Sequence, residues 1–220
     1  IDTGLHRNGL SAEEWDDGVR IALDAQHRGM IDLVGAWSHL AEASDAEDDA
    51  AQARFLAAVT RAETLGARLP YQHLTASAAT WERPELRGTL VRVGAFCFGV
   101  RSADGPDLPG IAPAAELVAP VRRIEDDEVV IGAGSFDGLP STLARRVRVG
   151  TPGGARELRS VGIDEMRVEA WQGASVGDEV VVFGRGRCGE ESPTTLAEAV
   201  GTVGEEILCR LTPGVRREYR

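Results

Sequence analysis

Lysine is absent: all 24 basic side chains among the 220 residues are arginine. The chain therefore offers no side-chain amine for a Schiff base, no lysine general base and no phosphate-loop lysine. Cysteine is scarce, with Cys97, Cys188 and Cys209 far apart and no C-x-x-C pair. That spacing excludes a zinc knuckle or a thioredoxin-type motif, and an odd set of distant thiols reads as reduced, buried cysteines of a cytosolic protein. The four histidines, His6, His27, His39 and His73, form neither H-x-H nor H-E-x-x-H, so no metal site is expected. No apolar run approaches the roughly 18–20 residues that a membrane span requires. Clustered positive charge is missing too. The net charge is −11, with 10 Arg against 15 Asp and Glu over residues 1–103 and 14 against 20 over the remainder. This even acidity serves solubility and argues against nucleic acid or an anionic membrane as partner, because phosphate surfaces need grouped cations. Neither an initiator Met nor a basic leader precedes Ile1-Asp2-Thr3-Gly4, so the start reads as that of a fragment beginning within an element.

What is present is ordinary globular composition, 43% hydrophobic and 27% charged. In the first half, helical and strand patterns alternate. Ser11 to Glu14 reads as a capping box, followed by Trp15, Val19 and Leu23 on one face, which predicts a helix over 12–28. Met30–Trp37 reads as a short buried strand running into Ser38 and His39. Ser44 to Glu47 is a second capping box, and the helix over 46–66 carries Phe55, Val59 and Ala62 on one stripe, with Gly66 as C-cap. Tyr71–Thr75 is a brief strand, and Ser77 opens a helix as its cap. Leu90–Val100 is a nearly continuous apolar run, as in a strand buried on both faces. About three strand–helix units result. They are too few to close an eight-stranded barrel and are compatible with part of a doubly wound sheet. The Pro- and Gly-rich stretch over 101–114 is the linker candidate. Beyond it, Leu117–Val121, Glu128–Ile131, Arg145–Val149 and Val180–Phe183 are short runs between Gly- and Asp-rich turns, as in an antiparallel sheet or small barrel. A short helix follows Ser192-Pro193 and runs to about Val200.

Several of these segments, in order, resemble alanine racemases. They are Ile1-Asp2-Thr3-Gly4-Leu5-His6-Arg7-Asn8-Gly9, Trp37-Ser38-His39, His73-Leu74-Thr75-Ala76-Ser77, Val91-Arg92-Val93-Gly94, Gly134-Ser135-Phe136-Asp137-Gly138, Val161-Gly162-Ile163-Asp164, Val176–Val180 and Gly201–Arg210. The resemblance implies an α/β plus all-β protein, with part of a PLP-binding (β/α)8 barrel over 1–102 and an antiparallel β domain over 103–220. It also implies pyridoxal 5′-phosphate as cofactor, a small amino acid as substrate, a cytoplasmic location and a head-to-tail homodimer. The cofactor lysine of such enzymes lies in the N-terminal half of the barrel, so this chain would need a lysine-bearing N-terminal half of its own. The family also has a lysine just before the position of Ile1, and the chain ends in Arg220, so both ends fit trypsin-like cleavage.

Residue by residue, the resemblance places Ser77 and Gly94 at the cofactor phosphate and Arg92 against the pyridine nitrogen, which a guanidinium leaves unprotonated. His39 would link that arginine to a catalytic tyrosine, and Arg7 and the backbone of Ile163 would meet the substrate carboxylate. On the residues alone, Ser77 is equally a helix cap, Gly94 a packing glycine, Arg92 half of an ion pair, and His39 a satisfied core histidine. The pattern breaks at the second proton-transfer group. The family's tyrosine base falls at Ser135, and neither Tyr71 nor Tyr219 stands in its place. A second family tyrosine, at the active-site entrance, is Glu205. Asp137, Glu165 and Glu205 are the available carboxylate substitutes. The expected function is that of an alanine racemase-like amino-acid racemase. The alternative is a catalytically degenerate member of the family that binds PLP or protein.

Overall fold

Reciprocal capping starts the first helix. The Ser11 amide donates to Glu14 Oε2 at 3.0 Å and the Glu14 amide to Ser11 Oγ at 3.4 Å. The residues between them form a turn, and α1 proper runs Trp15–His27. The arrangement recurs at Ser44, whose Oγ accepts the Glu47 amide at 3.3 Å and starts α2, Asp45–Thr64. Ala51, Phe55, Ala58, Val59 and Ala62 form the buried stripe of α2. Gly66, at φ 103°, ends it, with the Ala67 amide returning to the Ala62 carbonyl at 3.0 Å. The computed structural model describes residues 1–101, 105 and 108–219. These fall into two compact units, Ile1–Gly94 and Ala95–Arg220.

In the first unit, α2 connects two parallel strands, β1 (Gly35–Trp37) and β2 (Tyr71–His73), paired Gly35 to Tyr71, Ala36 to Gln72 and Trp37 to His73. Gly35 is dictated by close approach, since a Cβ there would lie 2.2 Å from the Tyr71 carbonyl oxygen. Val19 and Leu23 of α1, the α2 stripe, Ala36, Leu40, Leu69, Leu74 and Leu86 make one core. A short helix, α3 (Ser77–Glu82), follows β2. Two strand expectations need correction. Only Gly35–Trp37 of the Met30–Trp37 run is strand, and Met30, Ile31, Val34 and Trp37 are exposed. Leu90–Val100 is no strand either. The Thr89 and Leu90 amides donate to the Gln72 carbonyl and the Arg92 amide to that of Thr75. This spacing breaks the regular ladder, and the chain then turns into a 3-10 segment at Ala95–Phe98. A continuous apolar run does not by itself distinguish a two-sided buried strand from an extended segment with an open side, and Leu90, Val91 and Val93 are exposed.

The second unit is a closed antiparallel barrel. Its strands are β3 (Leu117–Glu125), β4 (Glu128–Ile131), β5 (Arg148–Thr151), β6 (Gly154–Val161), β7 (Met166–Glu169) and β8 (Glu179–Phe183), in the order β3-β4-β7-β6-β5-β8. Leu117, Ala119 and Val121 alternate inward along β3 and meet Val129, Ile131, Val149, Leu158, Val168, Val182 and Phe183 inside. Two helices, α4 (Pro193–Ala199) and α5 (Gly204–Cys209), add Leu196 and Ile207 to that core. The fifth strand begins at Arg148 rather than Arg145, because Arg145 sits in the left-handed region at φ 60° and cannot continue a ladder. On the outer wall, Arg123 grips Glu165 through two bonds of 2.7 and 2.8 Å, Arg167 reaches Glu125 and Glu128, and Arg159 reaches Asp127.

The linker candidate over 101–114 lies partly outside the described residues, at 102–104, 106 and 107. All three cysteines are free and exposed, which corrects their expected burial. Cys188 belongs to a surface turn and Cys209 ends a peripheral helix. No helix among the described residues is long and apolar enough to cross a membrane.

Candidate functional site

Parallel strands of a barrel wall carry chemistry where their carboxyl ends open into loops. Here β1 leads into Ser38 and His39, β2 ends at His73, and the segment beside β2 brings Arg92 to the same end. The Arg92 guanidinium donates to His73 Nδ1 and, through Nη2, to the carbonyls of Ser38 at 3.1 Å and Leu74 at 3.3 Å. Its Cζ lies 5.2 Å from the centroid of the Trp37 ring. Trp37 and His73, opposite each other in the strand register, stack with centroids 5.8 Å apart and planes 12° from parallel. Every partner is a neutral acceptor or a π face, so the ion-pair alternative for Arg92 does not hold. Burial and, after it, the charge of Arg7 lower the Arg92 pKa.

The resemblance gave the arginine-linking role to His39. Arg92 instead donates to His73, while His39 Nδ1 is buried without a partner among the described residues. Burial lowers the pKa of both imidazoles below 6.5, with Arg92 acting on both and Arg7 on His39. His73 and Trp37 were missed as site residues. Their only signal was position, each closing a strand at the same register.

Arg7 projects from a loop stapled by Asp2, whose Oδ1 accepts the amides of Gly4 at 2.9 Å and His6 at 3.1 Å. Those two bonds hold the Asp2 carboxyl below the usual range. Gly9, at φ 103°, lies so close to Ile1 and Asp2 that a Cβ would sit 2.8 Å from their backbone. The spacing of Asp2, Gly4 and Gly9 is therefore loop architecture. Arg7 lines a cavity of about 90 Å³ with Trp37, Ser38 and His39. No carboxylate lies within ion-pairing distance of Arg7 among the described residues.

Ser77 is the first residue of α3 and not its cap; Ala76 takes the capping position without a side-chain bond. The buried Ser77 hydroxyl accepts the Gly94 amide at 3.0 Å, and nothing lies within 4 Å of where a Cβ on Gly94 would be. A serine hydroxyl bonded to a glycine amide beside open space, near an arginine with no counter-anion among the described residues, suits a phosphorylated pyridine ring. PLP thus fits the residues present, except that no lysine is available to it. Among the described residues no three His, Cys, Asp or Glu side chains converge as a metal group.

In the second unit, Ser135 and Ile163 stand on one tip. The Ser135 amide donates to the Gly162 carbonyl at 2.9 Å and the Phe136 amide to that of Ile163 at 2.8 Å. Phe136 and Ile163 are 76% and 72% exposed, and Ser135 is exposed beside them. Gly138, at φ 105°, turns the chain where a Cβ would meet the Arg210 carbonyl oxygen at 2.1 Å. Two of the substitute carboxylates have structural work. Asp137 Oδ2 accepts the Gly134 amide at 2.9 Å. Glu165 is clamped by Arg123, which holds its carboxyl below the usual range and makes it a poor base. Glu205 lies in the first turn of α5.

An α/β wall with an uncompensated arginine at its strand ends, followed in sequence by a closed antiparallel barrel, has the architecture of the racemase class. Residues 1–102 match the family model described as alanine racemase, N-terminal domain, and residues 123–219 match alanine racemase, C-terminal domain. The chain is 37% identical to an alanine racemase of Beutenbergia cavernae and 31% identical to one of Corynebacterium efficiens, in each case over its whole length and 65% of the relative's. Crystallised alanine racemases of Streptomyces coelicolor and Streptomyces lavendulae superpose over the whole chain with TM-scores of 0.92 and 0.91, at 28% and 27% identity, and 64% and 65% of their lengths are covered. The chain belongs to the alanine racemase family, whose enzymes are PLP-dependent, and it spans about 65% of the length of the curated relatives it matches.

The imidazoles supply a direct check on this geometry. Both have pKa values lowered by burial in the folded chain and titrate near 6.5 when unfolded, so the unfolded chain binds more protons just below pH 6.5. Stability they contribute is present above 6.5, declines as pH falls through the folded midpoints, and levels off below them. NMR titration should give midpoints under 6.5 for His39 and His73. Arg92→Gln should move both part of the way back, since burial remains. Unmoved midpoints would contradict the described contact.

Proposed function

We propose that this chain is the C-terminal part of an alanine racemase-like, PLP-dependent amino-acid racemase, acting with a lysine-bearing N-terminal half. On this reading residues 1–102 belong to the cofactor-binding barrel and 103–220 to the β domain, in a cytoplasmic homodimer acting on a small amino acid. The observation that carries it is Arg92, a half-buried cation held, among the described residues, by neutral acceptors and an indole face. Bound PLP supplies an electron sink that acidifies the substrate Cα. Arg92 would face the pyridine nitrogen and could not give it a proton. The Ser77 hydroxyl, which accepts the Gly94 amide and keeps its own proton to donate, would hold the phosphate, with Gly94 leaving room for it, and His73 with Trp37 keeps the guanidinium in place. Arg7 would orient the substrate carboxylate in one subunit, and the main chain of Ile163, carried by the β domain, would do so in the head-to-tail dimer. His73, the histidine that Arg92 contacts, would take the arginine-linking place first given to His39, and Ser135 stands at the position of the family's tyrosine base.

The degenerate-paralogue reading is favoured by one specific observation, Ser135 at the position of the base. Binding and activity separate the two. Ser77→Ala should weaken PLP binding about tenfold in the intact protein on either reading, as expected for the loss of a charge-assisted hydrogen bond. Alanine turnover at ordinary family rates would exclude the degenerate reading. The chain by itself, treated with PLP and borohydride, should yield no pyridoxyl group on any side-chain amine. A fixed adduct on a side-chain nitrogen, seen by mass spectrometry, would overturn the dependence on a second segment.

A further inference from the structure

We propose that Arg148 and Arg156, at the β5–β6 hairpin, form a binding site for one small tetrahedral oxyanion of the phosphate type. The acidity that is even between the two halves of the chain has one local exception. Residues 138–156 carry Arg145, Arg146, Arg148 and Arg156 and no Asp or Glu, which corrects the expectation that grouped cations are missing. Strands β5 and β6 pair Arg148 with Glu157, Val149 with Arg156 and Gly150 with Ala155. From these positions Arg148 Nη2 and Arg156 Nη1 both donate to the Ala155 carbonyl, each at 2.8 Å. The two nitrogens are therefore no farther apart than twice that distance. One neutral oxygen cannot compensate two cations held so close. No carboxylate lies within ion-pairing distance of either guanidinium among the described residues. The surface turn at 186–189 packs on the same residue, since a Cβ on Gly189 would lie 2.9 Å from Ala155 Cβ. That turn carries Arg187, a third arginine without an ion pair among the described residues.

The carboxylates of the surroundings are Glu157, Glu169, Glu190 and Glu191, and main-chain amides already hold three of them. Glu190 accepts the amides of Gly186, Arg187 and Cys188 at 2.7, 3.0 and 2.8 Å. Glu169 Oε2 accepts the Glu157 amide at 3.4 Å. Glu191 takes the Arg148 amide. Glu157, across the ladder from Arg148, is exposed, and its carboxylate has no bond among the described residues. The negative groups are thus spent on backbone or turned to solvent, while the two guanidiniums share a carbonyl. They also confine the positive field to one small spot. An extended polyanion would run into the carboxylates around it, whereas a single oxyanion would not. Two guanidiniums aimed at one point match an anion with several acceptor oxygens, each taking an N–H, and such an anion would receive the donors that Ala155 now shares.

The test is arginine modification by phenylglyoxal in the intact protein, followed residue by residue by mass spectrometry, with inorganic phosphate as the probe and chloride at equal ionic strength as the control. Saturating phosphate should slow the modification of Arg148 and Arg156 about tenfold. Arg145, in the same run, and Arg68, exposed on the first unit, should react as before. Arg156→Gln should raise the phosphate concentration that half-protects Arg148 about tenfold, for the loss of one charge-assisted bond. Glu157→Gln, which removes a neighbouring negative charge, should lower it about two- to threefold. Each guanidinium bonds the Ala155 carbonyl and nothing else among the described residues, so these substitutions spare the ladder. Should Arg156→Gln alter the circular dichroism spectrum, Arg148→Gln with Arg156 as the reporter decides instead. Equal protection by chloride, equal protection of Arg145 or Arg68, or undiminished protection of Arg148 in Arg156→Gln would each overturn the site.

Discussion

Ser135→Tyr in the intact, lysine-containing protein is expected to raise alanine racemisation by about 10²- to 10⁴-fold, the range typical of a positioned acid–base group. Racemisation needs proton transfer on both faces of Cα, and a serine hydroxyl is a far weaker proton acceptor near neutrality than an activated phenol. The backbone is ready to carry the replacement. The turn is fixed by the amides of Ser135 and Phe136 on the 162–163 loop, by Asp137 on the Gly134 amide and by Gly138. None of these bonds uses the Ser135 side chain, which is exposed. Thermal stability should therefore be unchanged. Ser135→Phe, with the ring but no hydroxyl, is the control and should gain nothing. Rates of D-alanine formation decide the matter. A wild-type enzyme as fast as its relatives, or equal gains from Phe and Tyr, would remove Ser135 from the reaction.

Phe183→Ala is expected to cost about 3–5 kcal/mol, the range for deleting a fully buried aromatic side chain. Phe183 is inaccessible to solvent and ends β8 opposite Leu117 of β3, where the barrel closes. The cavity would open where Leu117, Val182 and Leu196 belong to the same core. A small domain has only about 5–15 kcal/mol in total, so much of the barrel's margin would be gone. Val118→Ala, one residue along β3 and facing out, should change stability by about 0.5 kcal/mol. Urea unfolding followed by circular dichroism compares the two, and similar midpoints would contradict the assigned inside and outside of β3.

The parts legible in the sequence share one property: their signal is local. Ser11 with Glu14 and Ser44 with Glu47 announce α1 and α2, because capping acts over three residues. Ser192 and Pro193 announce α4, where the Ser192 hydroxyl accepts the Thr195 amide at 3.1 Å. Strands β6 and β7 were less legible. Their outer positions carry Arg156, Arg159, Arg167 and Glu169, charges that lower the apolar content of both segments, and of these Arg159 and Arg167 join the ion-pair lattice. In the site, Ser77 and Gly94 were recognisable from the family pattern. The meeting of Trp37, His73 and Arg92 was not, since it joins residues 36 and 19 positions apart through strand register. The apolar run at Leu90–Val100 misled for the converse reason: composition reports what a segment prefers and not whether a neighbour is there to pair with it.

The contrast between the two sheets has a practical consequence. A ring of six strands has no unsatisfied margin on which another molecule can template itself. The two-stranded sheet is not closed in this way, and Val34, Trp37, Tyr71 and Leu90 are exposed around it. Material produced as this polypeptide by itself would clump through residues 30–94, while the 117–183 ring stays inert. Solubilising substitutions therefore belong at Val34, Tyr71 and Leu90, away from Arg92 and Ser77.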